Sequence, residues 1–387
     1  MIRKTTILLA LAGLASAASA QMPGDILFTT NDENGGSDTV GLLDYGSLTA
    51  STLVTFAPAS DAEHRLIGGL TRGPNGEFYF GNSPRPVLDP STASIYRVTD
   101  MFNPGLRTVS TYLNSDPVQS VEGIEYDPTT NNLLWANNPG SNFNLSMREE
   151  GILGSNLNTP TNVTVVVDEP LFTDPRPRDN AYNIVRADAI RPGNYYINSI
   201  NGGVDDDLTL GPGQDREAGR INRLVMNNPG DPSDVTYTNV IDLSASVTGL
   251  SRSLTFVRGI ASAPNGDLYI VEERTRSVYE IDLDANGDYV SISKILDLDT
   301  QHDSGNTGIR YQPFGVIYNE FTGKLNYIER NIDSGNFEGR IVEINLDGSG
   351  HTVLLANVDA TGLYAVPAPA TFALLGLGGL AAARRRR

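Results

Sequence analysis

A twelve-residue unit, Gly-Ile-Ala-Ser-Ala-Pro-Asn-Gly-Asp-Leu-Tyr-Ile at 259–270, recurs along the chain and narrows the folds open to it. It reads as a short strand, a Pro-Asn-Gly reversal and a second strand, because apolar side chains flank residues that tolerate a tight turn. Residues 69–80 match it without a gap. Residues 123–128 followed by 132–135, and 315–318 followed by 323–325, match with one extra turn residue, and a looser copy runs from Ala187 through Gly193 to Ile197. Each unit continues into a third strand, as at 94–98, 220–224, 277–281 and 340–344, and then into a fourth. Repeated sets of four antiparallel strands, with turn residues at fixed offsets and almost no helical periodicity, predict an all-β chain built of β-propeller blades.

The ends of the repeat predict how the ring closes. Gly24-Asp25-Ile26-Leu27-Phe28 matches the second strand of the unit, and nothing upstream supplies a first. Gly362-Leu363-Tyr364-Ala365-Val366-Pro367 matches that missing first strand. Pairing the C-terminal strand with the first blade removes the open edge and makes a six-bladed β-propeller. Seven blades follow instead if the segments 145–182 or 201–220 carry the strands of an additional unit.

Both termini read as targeting segments. Arg3 and Lys4 precede the apolar stretch 7–14 and the small-residue end Ala18-Ser19-Ala20, so 1–20 is a secretory signal cleaved between Ala20 and Gln21. The propeller then spans 21–366, and 366–387 holds Val366, Pro367, Ala368 and Pro369, an apolar run at 372–383 and Arg384, Arg385, Arg386 and Arg387. Twelve residues make about 18 Å of helix against a hydrocarbon core of about 30 Å. The run is thus a short transmembrane segment whose arginines favour the cytoplasmic side. This tail resembles the PEP-CTERM sorting signal, with Ala368 where that signal usually has glutamate. The resemblance implies an exosortase-type sorting machinery as partner, export, membrane anchoring by the C-terminus before processing, and release to the cell surface or extracellular matrix.

No cysteine is present, so the exported chain relies on core burial and not on disulfides. Setting aside Arg3, Lys4 and the four tail arginines, six positive charges, takes the formal charge from −18 to −24. Lys294 and Lys324 are the lysines that remain, a balance that argues against nucleic acid and anionic lipid as partners.

The repeat unit, with Val-Tyr-Glu-Ile-Asp-Leu-Asp at 278–284, resembles the NHL, SMP-30 (gluconolactonase) and YVTN propellers, a group that includes both hydrolases and binding scaffolds. Resemblance to the SMP-30 type implies glutamate and Asn or Asp side chains converging on a divalent cation at the channel mouth. The residues just before the repeat glycine, which would supply them, are Gly68, Glu122, Arg186, Arg258, Phe314 and Thr361. One carboxylate beside two arginines makes a charge pair, or a site for a carboxylated or sugar ligand through arginine forks, and supplies no catalytic residue. His64 and His302 precede inner strands and His351 stands apart, with no triad context.

Asp282, Asp284, Asn286 and Asp288 place oxygens at alternate positions before and after Gly287, a pattern that suits either calcium or a tight hairpin. Ser293 stands where an EF-hand needs glutamate, which excludes that motif; Asp347 lies in a weaker copy, and Asp205, Asp206 and Asp207 form an acidic run in a Gly-rich insertion. Three readings follow. The first is a non-catalytic surface or matrix module that needs no cofactor and binds a glycan or another surface component; the others are an SMP-30-like metal-dependent hydrolase and a calcium-stabilised structural protein.

Overall fold

The computed structural model describes residues 22–30, 37–56, 69–82, 94–114, 121–137, 151–168, 179–187, 191–201, 218–228, 231, 233–298, 310–331 and 339–367. Blade one comprises β1 (Ile26–Thr30), β2 (Asp38–Asp44) and β3 (Thr49–Phe56). Blade two is β4 (Leu70–Arg72), β5 (Phe78–Asn82), β6 (Ser94–Thr99) and β7 (Thr108–Leu113). Blade three is β8 (Val121–Asp127), β9 (Asn132–Asn137), β10 (Gly151–Asn156) and β11 (Val163–Asp168). Blade four is β12 (Asp179–Arg186), β13 (Asn194–Asn201), β14 (Arg220–Met226) and β15 (Val235–Asp242). A single-turn helix, α1 (Ala245–Thr248), leads into blade five, which is β16 (Val257–Ser262), β17 (Leu268–Glu272), β18 (Ser277–Leu283) and β19 (Tyr289–Asp297). Blade six is β20 (Tyr311–Asn319), β21 (Lys324–Asn331), β22 (Gly339–Ile344) and β23 (Thr352–Val358), and the last strand is β24 (Ala360–Ala365).

Six four-stranded antiparallel sheets result, and the first has the order β24-β1-β2-β3. Ile26 pairs with Ala365, Leu27 with Tyr364 and Phe28 with Leu363, so the ring closes between its two ends as the repeat predicts. The segment 145–182 does contain strands, but β10 and β11 complete blade three and β12 opens blade four, so they add no seventh blade. Most of the segment 201–220 lies outside the described residues.

Burial follows position in the blade. The second strands β5, β9 and β17 are buried at every residue because neighbouring blades cover both faces. The outermost strands β3 and β7 are mostly exposed. Apolar clusters bridge the blades, as where Tyr196 and Ile221 of blade four pack with Ile270, Tyr279 and Ile281 of blade five. Isolated blades could not bury this surface, which couples folding to closure.

The repeat glycine has a packing cause. A methyl group on Gly259 would lie 2.7 Å from Val316 N, on Gly69 2.7 Å from Ile124 N, and on Gly123 2.7 Å from Asn183 Cα. Inner strands of successive blades meet backbone to backbone at these points. Gly259→Ala should therefore push two blades apart and cost about 1–3 kcal/mol in urea denaturation. An unchanged midpoint would mean that the contact yields freely.

The topology gives the ring two ends. Turns joining first to second and third to fourth strands lie at one end, here the base, where inner strands finish. The second-to-third connections and the links between blades lie at the other, the mouth, where inner strands begin.

Candidate functional site

A cavity of about 630 Å³ runs along the axis, lined by residues of β4, β8, β12, β16, β20 and β24. Arg258, Tyr182, Phe314 and Thr361 line its mouth, all near the starts of inner strands. The register shifts between Val257 and Gly259, and between Ala181 and Asn183, bulging Arg258 and Tyr182 out of their ladders.

Arg258 is wrapped in rings. Its guanidinium carbon lies 5.3 Å from the Tyr182 centroid, 5.3 Å from Phe256 and 5.7 Å from Phe314. Each face offers the negative side of its quadrupole to the cation. Glu273, just beyond β17 in the same blade, accepts the Arg258 Nε–H, and the Arg258 side chain keeps 23% of its surface exposed. Burial works against the charge, but Tyr182 and Glu273 outweigh it and hold the guanidinium above its usual range. Arg274 adds a second cation 4.0 Å from Phe256, and Arg330 a third 4.0 Å from Phe314. Arg330 also faces Asp359 at 3.8 Å. The mouth is thus an arginine and aromatic cluster in a strongly acidic chain.

Of the three residues expected at this mouth, Arg258 stands there, while Glu122 lies on β8 with its side chain outside the described residues. Arg186 lies at the opposite end. It closes β12 near the base and donates its Nη1–H to Tyr126 O at 2.9 Å, tying blade four to blade three. The cause is a missing glycine. Asn183 occupies the position in blade four that glycine holds in the others, so Tyr182 is the true counterpart of Arg258. The Arg186 side chain shares the basal channel with Glu125, Glu320 and Tyr364. Burial, with Glu125 adding to it, lifts the Tyr364 hydroxyl above its ordinary range.

Sequence reasoning also missed Phe256, Arg274 and Arg330. Arg274 follows β17 and Arg330 lies at the mouth end of β21, in the similar runs Val271-Glu272-Glu273-Arg274 and Ile328-Glu329-Arg330, which is the signal that could have found them.

The hairpin residues separate. Asp284 Oδ1 accepts the N–H of Asn286 at 2.8 Å and of Asp288 at 2.9 Å, and these bonds hold its carboxyl below the usual range. Asp288 pairs across the blade boundary with Arg223 at 3.2 Å. Asp347 binds Ser349 N at 2.9 Å in the weaker copy. Both hairpins use their acids to fix turns. Asp282 joins a different group, because one oxygen each from Asp267, Glu280 and Asp282 lie within 4.8 Å of one another. Glu280 also accepts the Tyr269 hydroxyl at 2.6 Å, and burial raises the Asp267 carboxyl. His351 sits 2.9 Å from Glu329 in a structural contact, whereas His64, His302 and Asp205 to Asp207 lie outside the described residues.

Residues 365–387 match the PEP-CTERM protein-sorting motif. Ala20, Gln21, Ala368, Pro369, Arg384 to Arg387 and the run 372–383 lie outside the described residues, among which no helix is long and apolar enough to cross a membrane. No curated protein matches the chain in sequence. Among solved structures, the nidogen/laminin complex contains a chain that superposes with a TM-score of 0.55 at 16% identity, covering 88% of this chain and 97% of that one. A periplasmic gluconolactonase of Pseudomonas aeruginosa superposes with a TM-score of 0.50 at 10% identity, covering 85% and 81%. A calcium-binding regucalcin of Agrobacterium tumefaciens reaches 0.46 at 15% identity, covering 74% and 72%. Identities this low speak to the fold and not to the chemistry. The chain is an all-β six-bladed propeller that carries a PEP-CTERM protein-sorting motif, the mark of an exported protein anchored through its C-terminus.

Proposed function

We propose that this propeller is sorted by an exosortase-type machinery, displayed at the cell surface or in the extracellular matrix, and binds an acidic glycan at its channel mouth without catalysis. The observation that carries this reading is the guanidinium of Arg258 set among Tyr182, Phe256 and Phe314. Aromatic faces stack on the apolar side of a sugar ring, and an arginine fork pairs with a carboxylate. A metal-dependent hydrolase would need oxygen donors at these positions, where Arg258 and Phe314 put a cation and a hydrocarbon. If calcium is held at all, Asp267, Glu280 and Asp282 are better placed for it than the hairpin, and they lie away from the channel.

Calorimetry with a uronic-acid oligosaccharide tests the binding. Arg258→Gln should weaken it at least tenfold, roughly the 1.4 kcal/mol expected for losing one charge-assisted pair, with a melting curve still cooperative. Unchanged affinity in that variant, or equal binding of a neutral oligosaccharide, would sink the acidic-glycan reading.

A further inference from the structure

The sorting motif and the fold overlap. The motif match begins at Ala365, the last residue of β24, and Val366 is buried and donates its N–H to Asp25 O at 2.8 Å. Pro367 lines the basal end of the channel. Only residues 368–371 then separate the folded ring from the apolar run at 372. Five Cα steps reach at most roughly 18 Å even when fully extended.

We infer that the propeller stands on the membrane base first, its basal turns touching a zwitterionic lipid surface while its arginine mouth faces away. This rests on the anchoring read from the sorting motif. With the apolar run in the hydrocarbon, the headgroup layer takes up about 5–8 Å of the reach, which leaves the base within about 10–13 Å of the lipid surface. A twelve-residue run is also short for a bilayer, and the mismatch draws the base closer still.

The base is built for such contact. Phe321, Leu106, Met22 and Leu48, at basal turns or beside them, are 60%, 62%, 48% and 46% exposed. The Phe321 ring lies against Gly24, two residues along the chain from Met22, because a side chain on Gly24 would meet that ring. Val109, Val290 and Val353, each one residue from the basal end of an outermost strand, add to the rim. Among the described residues, Val247 on α1 is the one large exposed apolar side chain at the mouth end. Aliphatic and aromatic tips of this kind settle into the interfacial layer. The carboxylates of Asp44, Asp231, Asp284 and Asp347, all in or beside basal turns, are held ionised by their turn hydrogen bonds. They repel anionic lipid, so the surface contacted is zwitterionic and the tether, not charge, brings the base to it.

Because the chain has no cysteine, Phe321→Cys, Leu106→Cys and Val247→Cys can each carry a single nitrobenzoxadiazole label in the full chain. The labelled chains are reconstituted into phosphatidylcholine vesicles that contain spin-labelled lipid. Labels at 321 and 106 should be quenched about threefold more than the label at 247, given a nitroxide range shorter than the height of the ring. A flexible Gly-Ser spacer of about 20 residues placed after Pro367 should bring the label at 321 down to the level at 247. A chain that floats with the vesicles yet shows equal quenching at all three positions overturns the orientation alone. One that does not float overturns the anchoring reading and the orientation with it.

Discussion

A chain ending at Asp359 is expected to lose cooperative folding, whereas one ending at Pro367 keeps the full-length urea midpoint. The shorter chain lacks β24, which supplies the innermost strand of blade one and one wall of the channel. It removes the ladder from Ile26↔Ala365 to Thr30↔Ala360 and the contact between the Thr29 and Thr361 hydroxyls at 2.9 Å. Leu363 and Val366, both buried, are lost as well, at about 1.5–3 kcal/mol each. Ile26, Phe28 and the ring of Phe78, which meets Tyr364 edge-on at 5.6 Å, would face water. Against a total stability of about 5–15 kcal/mol, losses on this scale leave no stable ring. Trp135, fully buried in blade three, reports the transition by fluorescence far from the cut. Equal midpoints for the two chains would show that blade one stands without its inner strand.

The same closure was legible in the sequence, because Gly362 to Pro367 repeats the first strand of the unit and Gly24 to Phe28 the second. A strand pair with a fixed turn is local information, and so is the number of times it recurs. The mouth was only half legible. Arg258 could be placed by counting back from its glycine, but blade four has Asn183 where the glycine should be, and the count landed on Arg186, at the other end of the channel. Phe256 and Arg274 come to the mouth on links between strands and Arg330 at the end of β21, and which rings they meet depends on how successive blades pack. The hairpin at 282–288 shows the converse limit. Its alternating acids read equally as ligands or as turn caps, and only the neighbour Arg223 from another blade and the carboxylates of Asp267 and Glu280 separate Asp288 and Asp284 from Asp282.

Glu329→Ala is expected to be the most costly single substitution in the described core, at about 3–5 kcal/mol. The Glu329 carboxylate is fully buried on β21 and accepts from Arg340 Nε at 2.5 Å and from the Tyr327 hydroxyl at 2.5 Å, with His351 Nε2 at 2.9 Å. Burial, reinforced by that carboxylate, pushes the Tyr327 hydroxyl well above 10.0, so it remains a donor. Removing the carboxylate leaves two donors facing each other across a cavity, and the Arg340 side chain, only 17% exposed, loses its counter-ion. A buried pair is a poor source of net stability but expensive to break from one side. The double substitution Glu329→Leu with Arg340→Met should therefore cost less than Glu329→Ala alone. Urea denaturation of Glu329→Ala, of the double substitution and of its two single parts decides the matter. If Glu329→Ala costs under about 1 kcal/mol, or the double substitution costs the sum of its parts, the carboxylate is not the hub of this interior.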